Sequence, residues 1–455
     1  MKKSFALVLL TLIATFLNGC SAGSGSNGGG GSNSGSVFVV GEDSPSPSVV
    51  SFNITINSIT LNNGSTRVQA LAQPTTVDFG RLMGLRSLLA FNAIKPGTYT
   101  SATFALSKPV ISYVDMSTNP PSSQTVNGTL TAATVTVAFP ANAPLVVSNN
   151  SLGGLHMDFN LAKSLTINGS AISVNPVISI QAVSASDDLG KITEFVGSVL
   201  SVGTNSFNLQ GPWGFQETIA VNTQTQFNAG YSLSTIPMSA IVAVQGMLQA
   251  DGSILAAQVE VVTTDLAFIS GRVLAVNWPN VTMFVAEELP NMTPTIPVDH
   301  VYTVNLAGVG SNNYEICFFG NGLTQLLFNS SSIVVGQRIF VGGTFQNSVF
   351  TPNVVSLRLQ GVWGTLVPGT VAVGSNPPNQ GSFAMQNNEL MSYAYGGPGS
   401  AFPVNTFNFT DFVNVNGLSG LSSAGTTNLV TVGLVFMDHT TNKPVVEAGL
   451  VAVRP

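Results

Sequence analysis

Few side chains in this 455-residue sequence have the type and spacing that chemistry needs. The histidines are His156, His300 and His439. None stands in a His-Glu-x-x-His or His-x-His arrangement and no cysteine pair accompanies them, so no metal site is expected. His156 lies in "LHMDFN", with Asp158 two residues further on. On a strand the two share a face, which suits a metal or an acid–base pair, although a polar outward face explains the same spacing. Tyr393 and Tyr395 in "YAYGGPG" are placed either to stack on a sugar or to form an ordinary hairpin tip. Glu287 and Glu288 are adjacent, so on a strand they point to opposite faces and make a poor carboxylate pair for glycoside hydrolysis. There is no Gly-x-Ser-x-Gly elbow, phosphate loop or dinucleotide fingerprint. His156, Asp158, Tyr393 and Tyr395 are therefore candidates for ligand binding. No catalytic residue and no cofactor is expected, and the chain does not read as an enzyme.

The elements that must position these residues read as strands. "SFNITINSITL" alternates Phe52, Ile54, Ile56 and, after a phase slip, Ile59 and Leu61. "TVTVAF" and "AISVNPVISIQAV" continue the pattern between Asn-Gly, Pro-Gly and Asn-Asn turns. "DFGRLMGLRSLLAF" (78–91) is the one expected short helix. Charged residues make up 7% of the chain and hydrophobic ones 44%, against about 25% charged in ordinary domains. With 46 glycines, this composition suits an all-β protein outside the cytoplasm. A net charge of -6 disfavours nucleic acid as a partner.

Residues 49–186 form one expected domain. Its pieces "FNITINSITLNNGSTRV", "IKPGTYTSATFALS", "LHMDFNLAKSL" and "VNPVISI" resemble an uncharacterised domain family of bacterial lipoproteins. The resemblance implies a β-sandwich of the transthyretin or carbohydrate-binding kind and assigns no catalytic residue.

Beyond it the chain repeats. "FVGSVLSVGTNSFNL" matches "FISGRVLAVNWPNVTMFV", with Gly197 opposite Gly271, and "LQGVWGTLVPGT" is a degenerate third copy with Gly364 in that place. Each copy closes on a second hairpin, and the boundaries fall at 187–265, 266–357 and 358–455. The copies resemble an uncharacterised exported family of small, OB-like β-barrels, and five short strands suit such a barrel. Trp213, Trp278 and Trp363 lie near turns and are expected to plug barrel ends.

The N-terminus gives an address. Lys2 and Lys3 precede "SFALVLLTLIATF", an apolar run shorter than the ~20 residues a spanning helix needs. "LNGC" resembles the lipobox of bacterial lipoproteins, which implies a signal peptide over 1–19, acyl chains on Cys20 and a Gly/Ser-rich tether over 20–48. Ser21 after the cysteine implies, by the same resemblance, sorting to the outer membrane. Cys317, inside "EICFF", then has no partner for a disulfide and reads as a buried thiol. The expectation is a lipid-anchored, multidomain all-β envelope protein, periplasmic or surface-facing, with a binding, adhesion or scaffolding role. Its partners would be the membrane, through the anchor, and a glycan or envelope protein. The alternatives are a polysaccharide-active enzyme whose carboxylates the fold assembles, and a membrane-embedded β-barrel, for which the alternating segments are too irregular.

Overall fold

A computed structural model describes residues 34–44, 49–82, 84–168, 171–211, 216–264, 267–288, 298–319, 322–323, 326–346, 349–374, 379–387, 390–423, 425 and 427–454. Cys20 and the signal segment lie outside them. Among the described residues regular structure is almost all strand, and no helix is long and apolar enough to cross a membrane.

The N-terminal unit is a β-sandwich. One sheet runs in the order Ile178–Val183, Leu152–Asn160, Gly35–Ser44, Ser87–Ile94. The other is built on the long pair Val49–Asn62 and Ser101–Asp115, with shorter strands along its edges. Alternation is the reason the second sheet forms: Phe52, Ile54, Ile56, Ile59 and Leu61 are fully buried, while Asn57 between them is exposed. Pairing slips between Ile56 and Ser58 absorb the change of phase seen in the sequence. Between the sheets Phe159 packs 5.1 Å, ring centre to ring centre, from both Phe52 and Phe79.

Two expectations are corrected here. The tether does not extend to residue 48, because Gly35–Ser44 is a strand inside the first sheet, parallel to Leu152–Asn160 and antiparallel to Ser87–Ile94. Both of its faces are covered, Val37 and Val39 by the sandwich core and Phe38 and Val40 by the next unit, so it reads as an unbroken apolar run instead of an alternating one. The helix expected over 78–91 is instead a 3-10 turn at Phe79–Arg81, capped by Asp78, followed by the strand Ser87–Ile94. Pairing with Gly35–Ser44 outweighs the weak helical preference of "RSLLAF".

Three small barrels follow. The first consists of Ile192–Val202, Ser206–Gln210, Gln216–Ala220, Ile241–Leu248 and Ile254–Thr263. Its strands run third, second, first, fourth, fifth, and parallel pairing of Ile219 and Ala220 with Ile254 and Leu255 closes the ring. The third barrel, Gln360–Leu366, Gly381–Gln386, Ala401–Val413, Asn428–Asp438 and Lys443–Arg454, has the same neighbours and also pairs its third and fifth strands in parallel. The short helix Gly417–Ser422 buries Leu418 and Leu421 between its third and fourth strands. The second barrel, Ala267–Asn277, Asn280–Glu288, His300–Asn305, Arg338–Gln346 and Val349–Leu357, keeps the order. Its fifth strand pairs in parallel with Tyr314–Ile316 instead of with the third strand.

One device recurs in all three. The pairing of the fourth strand with the fifth slips at Gly246, Gly343 and Gly433. A Cβ there would lie 2.3, 2.2 and 2.1 Å from the carbonyl oxygens of Leu255, Thr351 and Glu447. At the matched glycines of the first strands, Gly197, Gly271 and Gly364, a Cβ would lie 2.8, 1.9 and 2.6 Å from second-strand carbonyl oxygens. Only glycine admits such close approach of a neighbouring strand, and at Gly246, Gly271, Gly343 and Gly433 it coincides with a bulge in the ladder.

The cores do not stop at unit boundaries. One apolar cluster joins Phe38, Val40 and Leu88 of the sandwich to Phe195, Val242 and Val244 of the first barrel. Another joins Val196 and Val262 of the first barrel, Phe268 and Phe340 of the second, and Leu434 and Phe436 of the third. Residues 33–455 accordingly form one compact unit.

Candidate ligand-binding cleft

The histidine singled out in the sequence is buried. His156 sits on Leu152–Asn160, 5% exposed, with its Nε2 2.9 Å from Glu42 Oε2. Register pairs Val40 with His156, so both lie on the face that packs toward the first barrel. Asp158 follows on the same face, half-buried and opposite Glu42 in register. Among the described residues no set of three His, Cys, Asp or Glu groups is placed to hold a metal ion. Tyr393 and Tyr395 belong to the 3-10 segment Leu390–Tyr395. The Tyr395 hydroxyl donates to the Pro444 carbonyl, and the Lys443 ammonium lies 4.7 Å from its ring centre. Burial, then the Asp438 charge, pushes that phenol up to about 12. The structure does not bring the tyrosines to His156 or to the cleft described below. Trp278 does not plug a barrel. It is 51% exposed, because Trp278 and Pro279 are the two loop residues of a hairpin whose last pair is Asn277 with Asn280.

A charged joint that sequence reading missed fastens the first barrel to the second. Arg358 is fully buried and donates to Glu260 Oε2 at 2.8 Å and to Glu194 Oε1 at 2.7 Å. Arg338 holds the other Glu194 oxygen at 2.6 Å. Both guanidiniums lie over the Phe340 ring, at 4.2 Å and 4.8 Å. Burial works to raise the Glu194 carboxyl, but Arg338 and Arg358 outweigh it and the net shift is downward. Glu260 has one guanidinium, and there burial wins and the shift is upward. The signal was present: "QRIFV", "LRLQ" and "VEVV" each insert one charge into an apolar strand, and such charges are rarely buried unpaired.

A second buried set lies at the sandwich. Asp78 Oδ1 accepts from the Phe52 and Gly80 amides at 2.7 and 3.0 Å, yet burial, against the pull of Arg81, raises its carboxyl to about 6. Asp43 is fully buried, and neither oxygen has a donor within hydrogen-bonding geometry. Burial, with the Asp158 charge next, pushes it well above the usual carboxylate range, and the nearby Leu161 amide, which makes no hydrogen bond of proper geometry to it, works in the opposite direction.

The open site is a cleft of about 550 Å³ where the third barrel meets the second. Its wall is the second, third and fifth strands of the third barrel, with Gln380, Gly381, Asn405, Thr406, Phe407 and Glu447, and Leu326 of the second barrel faces them. Asn405 and Glu447 are register partners, which puts the amide beside the carboxylate, and Asn405 Nδ2 donates to Glu447 Oε1 at 3.1 Å. Glu447 is 8% exposed, and no described residue donates to its Oε2. Burial raises its carboxyl, the Asn405 hydrogen bond lowers it in part, and the Asp438 charge raises it slightly. The Gly433 bulge carries the fourth strand past the Glu447 carbonyl.

The aromatic side of the cleft comes from an interruption in the ladder. Between Thr406 and Asp411 the third strand loses its register with the fifth. Thr410 Oγ1 closes the excursion, accepting from the Phe407 amide and donating to the Ala448 carbonyl, each at 2.7 Å. The looped-out residues stack Phe407, which lines the cleft, on Phe409 as parallel rings, 5.0 Å apart and inclined by 1°. A cleft with a buried carboxylate, two carboxamides and an aromatic face suits a polyhydroxylated ligand, read by hydrogen bonds at its rim and by stacking on its apolar face.

Residues 34–176, about a third of the chain, match the family described as "Domain of unknown function (DUF4382)". That segment is the sandwich, and its start just before Gly35 agrees with the strand that begins there. No curated protein matches this chain. Among solved structures, "drosophila Unr CSD456" aligns at 8% identity over 58% of this chain and 97% of its own, with a TM-score of 0.13. So low a score carries no argument about fold or function.

Proposed function

We propose that this is a lipid-anchored protein of the bacterial cell envelope that binds a saccharide in the cleft of its third barrel. The single observation that carries the reading is where the cleft lies. The order third, second, first, fourth, fifth, with parallel third and fifth strands, resembles that of OB-like barrels, and such barrels bind oligonucleotides or oligosaccharides over strands two and three. Asn405, Thr406 and Phe407 of the third strand, together with Gly381 of the second, line the cleft. No Lys or Arg is among the lining residues, and Glu447 is, so a phosphate backbone would be repelled and a sugar would not. Hydrolysis of a glycosidic bond by the usual route takes two carboxyl groups, and one lines this cleft. Binding is therefore favoured over catalysis. In this reading Cys20 carries the anchor, sorting follows Ser21 to the outer membrane, and the sandwich with the first two barrels acts as the scaffold that holds the cleft.

The test is calorimetry of the full chain in detergent against a panel of neutral and charged oligosaccharides. Phe407→Ala and Asn405→Ala should each weaken the best ligand by about tenfold, the worth of one stacking or hydrogen-bonding contact. Absence of binding across the panel, or full affinity in both variants, sinks the proposal. Acylation at Cys20 is read separately, by mass spectrometry of the mature amino terminus.

A further inference from the structure

The charge in the cleft narrows the ligand. We propose that the site selects a saccharide carrying a free ammonium group, an amino sugar without its acetyl, held by Glu447 Oε2. This rests on the reading of the cleft as a saccharide site and goes further by naming the group that decides specificity.

The geometry divides the carboxylate into two halves. Oε1 is engaged by Asn405 Nδ2 at 3.1 Å, which fixes the plane of the group. Oε2 receives no donor from the described residues, although the side chain is 8% exposed and lines the cleft. A carboxylate that has lost most of its water is left short of donors, and an ammonium supplies both a donor and the opposite charge. No basic residue lines the cleft to neutralise it, and Asp438, the other charged group whose field reaches Glu447, has the same sign. Gln380 also lines the cleft, for a sugar hydroxyl, and Phe407 offers a ring face, so amine, hydroxyl and ring each have a complement. An N-acetyl group would bring a bulky neutral amide to the same oxygen, and a uronic acid would bring a second negative charge.

The experiment compares four tetrasaccharides on the full chain by calorimetry: glucosamine, N-acetylglucosamine, glucose and a uronic acid. The expected result is a glucosamine tetramer bound at least about tenfold more tightly than the others, as a charge-assisted hydrogen bond exceeds a neutral one. Its affinity should pass through a maximum in pH, falling on the acid side as Glu447 gains a proton and on the alkaline side as the sugar amine loses one. In Glu447→Gln the preference should vanish, with a thermal melt confirming that the variant is folded. The wild-type comparison stands without that variant. Equal binding of the glucosamine, N-acetylglucosamine and glucose tetramers overturns this inference and leaves the saccharide reading intact, as does a preference that persists in Glu447→Gln. Preference for the uronic acid also overturns it, and absence of binding by all four removes both readings.

Discussion

Arg358→Met is the sharpest test of the joint between the first two barrels. The substitution keeps an unbranched side chain of similar reach and removes the charge that two buried carboxylates share. Arg358 makes hydrogen bonds of 2.7 and 2.8 Å to Glu194 and Glu260. At about 1.5–3 kcal/mol for each hydrogen bond to a charged group, the loss is about 3–6 kcal/mol, in line with the ~3–5 kcal/mol typical of breaking a buried pair. For a unit the size of two barrels, each kcal/mol moves the melting temperature by about 2–4 °C, so the midpoint should fall by roughly 6–24 °C. Adding Glu260→Gln should restore at least half of it, because Glu194 keeps Arg338 at 2.6 Å and no carboxylate is then stranded. The assay is calorimetric melting of the wild type, the single variant and the double variant at neutral and mildly acidic pH. The single variant's deficit should shrink in acid, where the stranded Glu260 carboxyl takes up a proton and no longer needs a cation. A drop of less than about 2 °C, or a double variant as unstable as the single one, would refute the reasoning.

Other outcomes are expected. Gly271→Ala places a methyl 1.9 Å from the Phe284 carbonyl oxygen, so it should cost about 1–3 kcal/mol or more by denaturant melt, and an unchanged midpoint would contradict the close approach. Burial raises the Glu217 carboxyl from 4.5 to about 7. Between those values the folded chain holds a proton that the unfolded chain releases, so stability falls as pH rises and the deficit is complete above about 7. Glu217→Gln should therefore melt higher than wild type at alkaline pH and equally below the lower value, and a constant difference across pH would count against it. Asp43→Leu, close in shape, should raise the midpoint at neutral pH because both carboxylate oxygens lack a donor, and a lower midpoint would mean that the carboxyl has a partner in solution. Cys317 is fully buried and burial pushes its thiol up to about 12, so iodoacetamide should label it only on unfolding, and labelling of the native protein would place it at the surface.

The strands were legible because most cover a core on one side. Phe52 to Leu61 alternate in sequence and in burial, and the phase slip between them is a bulge. The repeats were legible through glycine, since Gly197, Gly271 and Gly364 stand where a second-strand carbonyl comes too near for a side chain. The strand Gly35–Ser44 was hidden for the converse reason: it is buried on both faces and follows a Gly/Ser-rich stretch, so neither alternation nor composition marked it. The charged joint and the cleft were out of reach for a different reason. Arg358 meets Glu194 across 164 residues and Asn405 meets Glu447 across 42, and only closure of the barrels and their docking brings such pairs together. His156 and Asp158 do share a face, but the partner of His156 is Glu42, on a strand that sequence reading had placed in the tether.

The position of Gly35–Ser44 has a mechanical consequence. The strand enters the packed body near its N-terminal end and lies between two neighbours. Its register with Leu152–Asn160 runs unbroken through nine residue pairs, from Ser36 with Leu152 to Ser44 with Asn160. A pull along its length from residue 34 loads that ladder and the antiparallel one to Ser87–Ile94 in shear, so their hydrogen bonds must fail together and not one at a time. Resistance to such a pull is set by the rate of that concerted rupture, not by equilibrium stability. Tension reaching the chain from its N-terminal side would thus be borne first by the sandwich, and the cleft of the third barrel would keep its shape while the load lasts.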